Sequence, residues 1–229
     1  MNAVQLININ KTFKDKPILK DLSFVVKEGS FFGIIGKSGS GKTTILNIIG
    51  LIESFDSGEL FIDEKKIEDN KREKLLLRRN KIGYLFQNFG LADDETVFWN
   101  LNICLAFSKL SKEEKKTKIL NTLKQFSLDQ LIDKHIYQLS GGEQQRVALV
   151  KLMLQDSDII LADEPTSSLD LENEKIIKNE NNIISNKAIF LLYFNIHRVK
   201  TNPIPIIRPN AFLLLRLPVT PSPVTIVGF

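Results

Sequence analysis

Apolar residues fall into short runs over the first third of the chain. VQLINI at 4–9 and LSFVV at 22–26 are rich in β-branched and apolar residues and predict strands. FFGII at 31–35 is a continuous apolar run, the pattern of a strand buried on both faces. An apolar helix, ILNIIGL, is predicted at 45–51, then a turn at Asp56-Ser57-Gly58 and a short strand over 59–62. Residues 70–80 are basic and helical in pattern, and KIGYLF at 81–86 predicts another strand. From about 88 to 156 the period is helical. Within it, residues 111–126 put charges on one side and Ile119, Leu120, Leu123 and Phe126 on the other. DIILA at 158–162 and AIFLLYF at 188–194 read as buried strands. After about residue 200 the pattern breaks. Six of the eight prolines (203, 205, 209, 218, 221 and 223) lie there among apolar residues, a density that predicts neither helix nor central strand.

Composition narrows the class. A chain of 229 residues, 43% hydrophobic and 25% charged, has ample material for a globular core. No apolar run reaches the roughly eighteen residues of a membrane-spanning helix, and the N-terminus lacks a secretory pattern. Cys104 is the single cysteine; it forms no internal disulfide, fits a reducing cytoplasm, and is expected as a small buried hydrophobe. The net charge of +4 is unevenly spread. Residues 181–229 hold five basic and no acidic residues, leaving 26 of the 31 basic residues against all 27 acidic ones in the first 180. Without a patterned basic face, nucleic-acid binding is not expected.

Three motifs carry chemistry. GKSGSGKTT at 36–44 fits G-x-x-x-x-G-K-[ST] and lies between a predicted strand and a predicted helix. Glycines let backbone N–H groups crowd around phosphates, Lys42 suits their charge, and the Thr43 hydroxyl suits Mg²⁺. A flexible glycine turn is the alternative, and the strand–helix context disfavours it. Asp163 and Glu164 follow the apolar run Ile159–Ala162, which sets two carboxylates at a sheet edge. Asp163 suits Mg²⁺ held through water, and Glu164 suits a general base; a solvated Asp-Glu-Pro turn is the competing reading. LSGGEQQR, from Leu139 to Arg146, opens a helical pattern with a second donor-rich N-terminus. Taken alone, Ser140 there is a helix N-cap.

In this order the motifs resemble the nucleotide-binding subunit of an ATP-binding-cassette transporter, over about residues 4–199. The resemblance implies an α/β P-loop NTPase (RecA-like) core, an antiparallel β subdomain and an inserted helical subdomain at about 88–156. It implies ATP and Mg²⁺ as cofactors, with Gly36, Lys37, Ser38, Gly39, Ser40, Gly41, Lys42, Thr43 and Thr44 around the phosphates. Phe13 takes the aromatic position that stacks on adenine. Gln87 falls at the Q-loop, joining Thr43 and Asp163 around the metal. Glu164 is then the catalytic base, Ser168, Leu169 and Asp170 match the D-loop, and His197, 33 residues after Glu164, takes the switch position. Leu139, Ser140, Gly141, Gly142 and Glu143 would hold the nucleotide of a partner in a head-to-tail homodimer.

The chain departs from the family pattern at Asn195-Ile196-His197-Arg198, where Thr-His-Asp is usual, and again over residues 200–229, where further strands and a helical end are usual. An atypical Pro-rich tail is therefore expected after a cassette domain at 1–199, either a genuine extension or a replaced end, and in the second case the last strands that buttress the sheet would be missing. A single cassette without a membrane span implies a separate permease and a peripheral place on the inner face of the cell membrane. The segment after Gln87, with Asp93, Asp94, Glu95, Phe98 and Trp99, reads as the permease contact or as a loop with anchoring aromatics. Its wording resembles exporters of peptides, antibiotics and lipoproteins, especially bacteriocin exporters. Two alternatives are a soluble cassette ATPase acting on ribosomes or DNA, and a cassette that binds ATP but hydrolyses it poorly.

Overall fold

The structure, a computed structural model, describes residues 1–36, 39–86, 88–163, 188–194, 213–216 and 224–228. Its strands are β1 (Asn2–Phe13), β2 (Lys16–Lys27), β3 (Phe31–Gly36), β4 (Ser57–Ile62), β5 (Lys65–Lys66), β6 (Ile82–Leu85), β7 (Ile159–Ala162), β8 (Ala188–Phe194), β9 (Leu213–Arg216) and β10 (Val224–Gly228). Its helices are α1 (Lys42–Ile49), α2 (Lys71–Asn80), α3 (Val97–Asn102), α4 (Lys112–Gln125) and α5 (Gly141–Gln155).

The strands form two sheets, in the orders β2-β1-β4-β5 and β6-β7-β8-β3-β10-β9. The first is antiparallel. Its strands β1 and β2 reach beyond the apolar runs because a tight hairpin extends them. Phe13 pairs with Lys16, and the two loop residues, Lys14 and Asp15, both take left-handed φ (44° and 65°), as a two-residue turn requires. In the second sheet β6, β7, β8 and β3 run parallel, so their carboxyl ends share one edge.

Two strands occupy the Pro-rich segment, against expectation. β10 lies antiparallel to β3, from Val224 opposite Gly36 to Gly228 opposite Phe32, and β9 pairs with β10. Pro203, Pro205 and Pro209 precede β9 in the sequence, and Pro218, Pro221 and Pro223 fall between β9 and β10, so no ladder N–H is lost. The segment therefore does buttress the sheet beside the strand that leads to the glycine loop.

One core joins both sheets through α1. Ile45, Leu46, Ile48 and Ile49 are buried with Val4, Leu6 and Leu60 of the first sheet and Ile34 and Leu161 of the second. A helix buried on nearly every side is held by both neighbours, and each such side chain contributes about 1.5–3 kcal/mol. The helical segment has its own core, built from Val97, Leu101, Ile119, Leu123, Phe126, Ile136, Val147 and Val150. Ile119, Leu123 and Phe126 of the predicted apolar stripe are buried, while Leu120 is half-buried. A small joint of Leu85, Ala148 and Ala162 seats α5 on the ends of β6 and β7. α4 and α5 both begin with a capping box, Ser111 with Glu114 and Ser140 with Glu143. Cys104 is half-buried and close to the Asn100 carbonyl, and burial pushes its thiol pKa up.

Candidate nucleotide-binding site

β3 delivers Gly36 to the shared carboxyl edge, and the chain returns as α1 from Lys42. Gly41 caps α1 in the left-handed region at φ 89°, and no side chain caps the helix. A Cβ there would stand 2.9 Å from Ile18 Cγ2 and 3.1 Å from Leu19 Cδ2, so both its conformation and its space require glycine. Ser40 Oγ is buried without a hydrogen-bond partner. Lys42 is 3% exposed, and its Nζ donates to the Gly36 carbonyl at 2.9 Å, across the mouth of the loop it serves. Gly39 and Thr43 are exposed, and Thr44 is half-buried.

β7 brings Asp163 to the same edge, and its N–H donates to the Leu85 carbonyl at 3.0 Å, extending the β6–β7 ladder by one rung. Burial raises the pKa of Asp163, while a hydrogen bond with Thr43 and the charge of Lys42 act against that rise. Its Oδ1 is buried and unpartnered. Thus three residues from two motifs meet, and among the described residues no donor reaches one buried carboxylate oxygen. Tyr84 of β6 donates to Asn47 Oδ1 at 2.9 Å, tying α1 to the sheet; burial and then the charge of Asp163 push its phenol pKa well up. Neither Tyr84 nor Asn47 stood out in the sequence, because neither belongs to a motif.

Phe13 sits at the β1–β2 hairpin, 43% exposed. The register pairs Lys11 with Leu19, whose side chain borders Gly41, so the hairpin end lies beside the glycine loop. Lys11 Nζ stands 4.7 Å from the Phe13 ring centroid and pairs with Glu53 at 2.7 Å. Lys11 was also missed: a buried lysine in a strand looks like any polar position until its ion pair and ring contact are seen.

The signature residues open α5. Leu139 is buried, and Ser140 is the N-cap. Ser140 and Glu143 close a box: the Ser140 N–H donates to Glu143 Oε2 at 2.8 Å, and the Glu143 N–H donates to Ser140 Oγ at 3.3 Å. Among the described residues, nothing meets the N–H groups of Gly141 and Gly142. A Cβ on Gly141 would meet nothing within 4 Å, and one on Gly142 only Arg146 Nη1 at 3.9 Å. Neither glycine has a positive φ. Glycine costs a helix roughly 0.5–1 kcal/mol relative to alanine, yet nothing among the described residues requires it at either position. Lys37, Ser38, Gln87, Glu164, Ser168, Leu169, Asp170 and His197 lie outside the described residues.

The sequence profile of the ABC transporter family matches residues 19–167. This chain belongs to that family. The cassette is 38% identical over 181 residues to the lipoprotein-releasing system ATP-binding protein LolD of Buchnera aphidicola, covering 77% of this chain and 79% of that one. It is 37% identical over 171 residues to the methionine import ATP-binding protein MetN 1 of Enterococcus faecalis, covering 73% of this chain but only 48% of the importer. Its fold is similar to the dimeric post-hydrolysis state of the cassette MJ0796 of Methanocaldococcus jannaschii bound to ADP and Pi: TM-score 0.77, 37% identity, 85% of this chain and 89% of that one. The cassette is thus an α/β ATPase of the ABC class, and no helix among the described residues is long and apolar enough to cross a membrane.

Proposed function

We propose that the cassette works as a head-to-tail homodimer with two ATP molecules between each glycine loop and the opposite signature. The observation that carries this is the pair of bare glycines at α5. Two open N–H groups, with no packing reason to lack side chains, suit a phosphate arriving from outside the chain. In this reading Gly36 to Thr44 hold the phosphates through backbone N–H groups, the Lys42 ammonium leaves the Gly36 carbonyl for them, and Phe13 stacks on adenine. The orphaned Asp163 oxygen beside the Thr43 hydroxyl is an all-oxygen donor set that fits Mg²⁺, with Gln87 as a further ligand. When bound, Mg²⁺ offsets the charge that builds on the phosphates. Glu164 takes a proton from the attacking water, His197 orients that water, and Ser168, Leu169 and Asp170 line the partner-facing loop.

Glu164→Gln is then expected to bind ATP and to hold the dimer closed, seen as a stable ATP-dependent dimer with turnover down at least about a hundredfold. Wild-type turnover in that variant would remove Glu164 as the base. The same assay on the unaltered chain decides whether this cassette hydrolyses ATP or mainly binds it. Asp163→Asn is expected to weaken Mg²⁺-dependent ATP binding. In the nucleotide-free protein its melting temperature at neutral pH should be equal or higher. The folded pKa of Asp163 lies above its unfolded value, so the stability tied to this group is present at low pH and lost as pH rises through the folded value. A clear fall in melting temperature would contradict that.

The dimer drives a separate membrane permease, and we place the contact on α3 and the turn after it. Trp99, Ile103 and Phe107 are exposed at four-residue spacing, 42%, 50% and 74%, with Arg79 over the Phe107 ring, and the exposed Asp93 and Asp94 precede α3 in the chain. Phe98, expected there from the sequence, is instead half-buried against the helical core. Asn100 ties the loop to the helix, accepting from the Ala92 N–H and donating to the Ala92 and Thr96 carbonyls. Backbone bonds from Ile136 to Glu95 and from Val97 to Lys134 join this surface to the lead-in of the signature. The cargo in this reading is an exported peptide, bacteriocin, antibiotic or lipoprotein. The likeness to the lipoprotein-releasing relative supports export, and the equal likeness to the methionine importer makes import the competing reading. Co-purification with a multi-span membrane protein tests it; recovery with ribosomes or DNA would favour a soluble cassette ATPase.

A further inference from the structure

The box that starts α5 occupies the signature's one hydroxyl. Ser140 Oγ donates to Glu143 Oε2 at 2.7 Å while accepting the Glu143 N–H, so its hydrogen points into its own chain. Glu143 is half-buried at the start of the helix. Its pKa is held below the ordinary range by the side-chain and backbone bonds from Ser140, and further by the charges of Arg146 and Lys134. A full negative charge therefore stands one residue from the open N–H of Gly142. Any polyanion drawn to those N–H groups meets it. Two consequences follow from elementary electrostatics. The phosphate is repelled by Glu143, and Ser140 offers its O–H to that phosphate only after releasing the carboxylate.

We infer that Glu143 is a positioning residue that limits the strength of the ATP sandwich: it shapes the Ser140 cap and at the same time opposes the phosphate that the cap receives. The inference rests on the partner-nucleotide reading of the signature. Its use in a cycle is release. A clasp weakened by a fixed like charge lets go once hydrolysis has divided the phosphates, while Arg146 and Lys134 keep the site attractive enough to form. Glutamine builds the same capping box without the charge, whereas alanine removes both. The two roles of Glu143 are therefore separable by substitution.

The test measures ATP-dependent dimerisation of the full chain in the Glu164→Gln background, with and without E143Q, at low and high salt. E143Q is expected to tighten the dimer about threefold to tenfold per site at low salt, with the gain shrinking as salt screens the charge. E143A, which loses the box, is expected to weaken the dimer and lower the melting temperature. A purely structural role predicts no gain from E143Q and no salt dependence. If the dimer forms with equal affinity with and without E143Q at both salts, Glu143 does not tune the clasp and the inference fails alone. If neither form dimerises with ATP, the sandwich reading fails and the inference falls with it.

Discussion

Lys42→Ala is expected to lose ATP affinity by at least about a hundredfold, with the fold retained. A hundredfold is about 2.7 kcal/mol. One charge-assisted hydrogen bond in a buried site is worth about 1.5–3 kcal/mol, and this ammonium would serve two phosphates. The side chain is already buried and already aimed into the loop, where its Nζ meets the Gly36 carbonyl. Little ordering remains for nucleotide to impose, so the substitution removes binding energy and not a flexible tail. Lys42→Arg should rescue poorly, because a planar guanidinium does not fit the space of a compact ammonium that is 97% enclosed. The fold should survive because α1 is held by Ile45, Leu46, Ile48 and Ile49, none of which needs Lys42. The check is equilibrium binding of a fluorescent ATP analogue beside a melting curve. Tight binding by a folded Lys42→Ala variant would contradict the phosphate-loop assignment.

The parts of this molecule written as short-range pattern were legible in the sequence. The strand leading into the glycine loop, the buried strand before Asp163 and the capped start of α5 each depend on neighbours within a few residues, and each stands where the pattern put it. What depends on distant partners was not legible. β10 reads as tail because its environment is β3, almost two hundred residues earlier in the chain, and because proline density was counted over the whole segment and not between its strands. Phe98 and Trp99 are adjacent aromatics, and only helix phase on α3 decides which one packs and which one faces out. Lys11 and Tyr84 owe their places to Glu53 and Asn47, contacts across the fold that no local window contains.

Gly142→Ala is expected to separate two properties that usually fall together. The nucleotide-free monomer should melt at the same temperature or up to a few degrees higher. Alanine is the better helix former by up to about 1 kcal/mol, which for a domain of this size is worth about 2–4 °C. The added methyl meets only the mobile end of Arg146, at 3.9 Å. Turnover, in contrast, should fall by about a hundredfold. The Cα–Cβ bond tilts toward the helix N-terminus, so a methyl here takes up room beside the N–H, where the phosphate group must sit with its bonded oxygen at about 2.9 Å. The partner's nucleotide would then lose that bond and its neighbour at Gly141, each worth about 1.5–3 kcal/mol when the acceptor is charged. ATP binding by the variant's own glycine loop should be untouched, since that loop is built from another part of the chain and another core. Three measurements on one variant decide the matter: melting, nucleotide binding, and ATP-dependent dimer formation in the Glu164→Gln background. Loss confined to the third places the ligand of α5 on a second copy of the chain. Full turnover by Gly142→Ala would mean that the bare N–H groups hold nothing, and the glycines would be left without a physical reason.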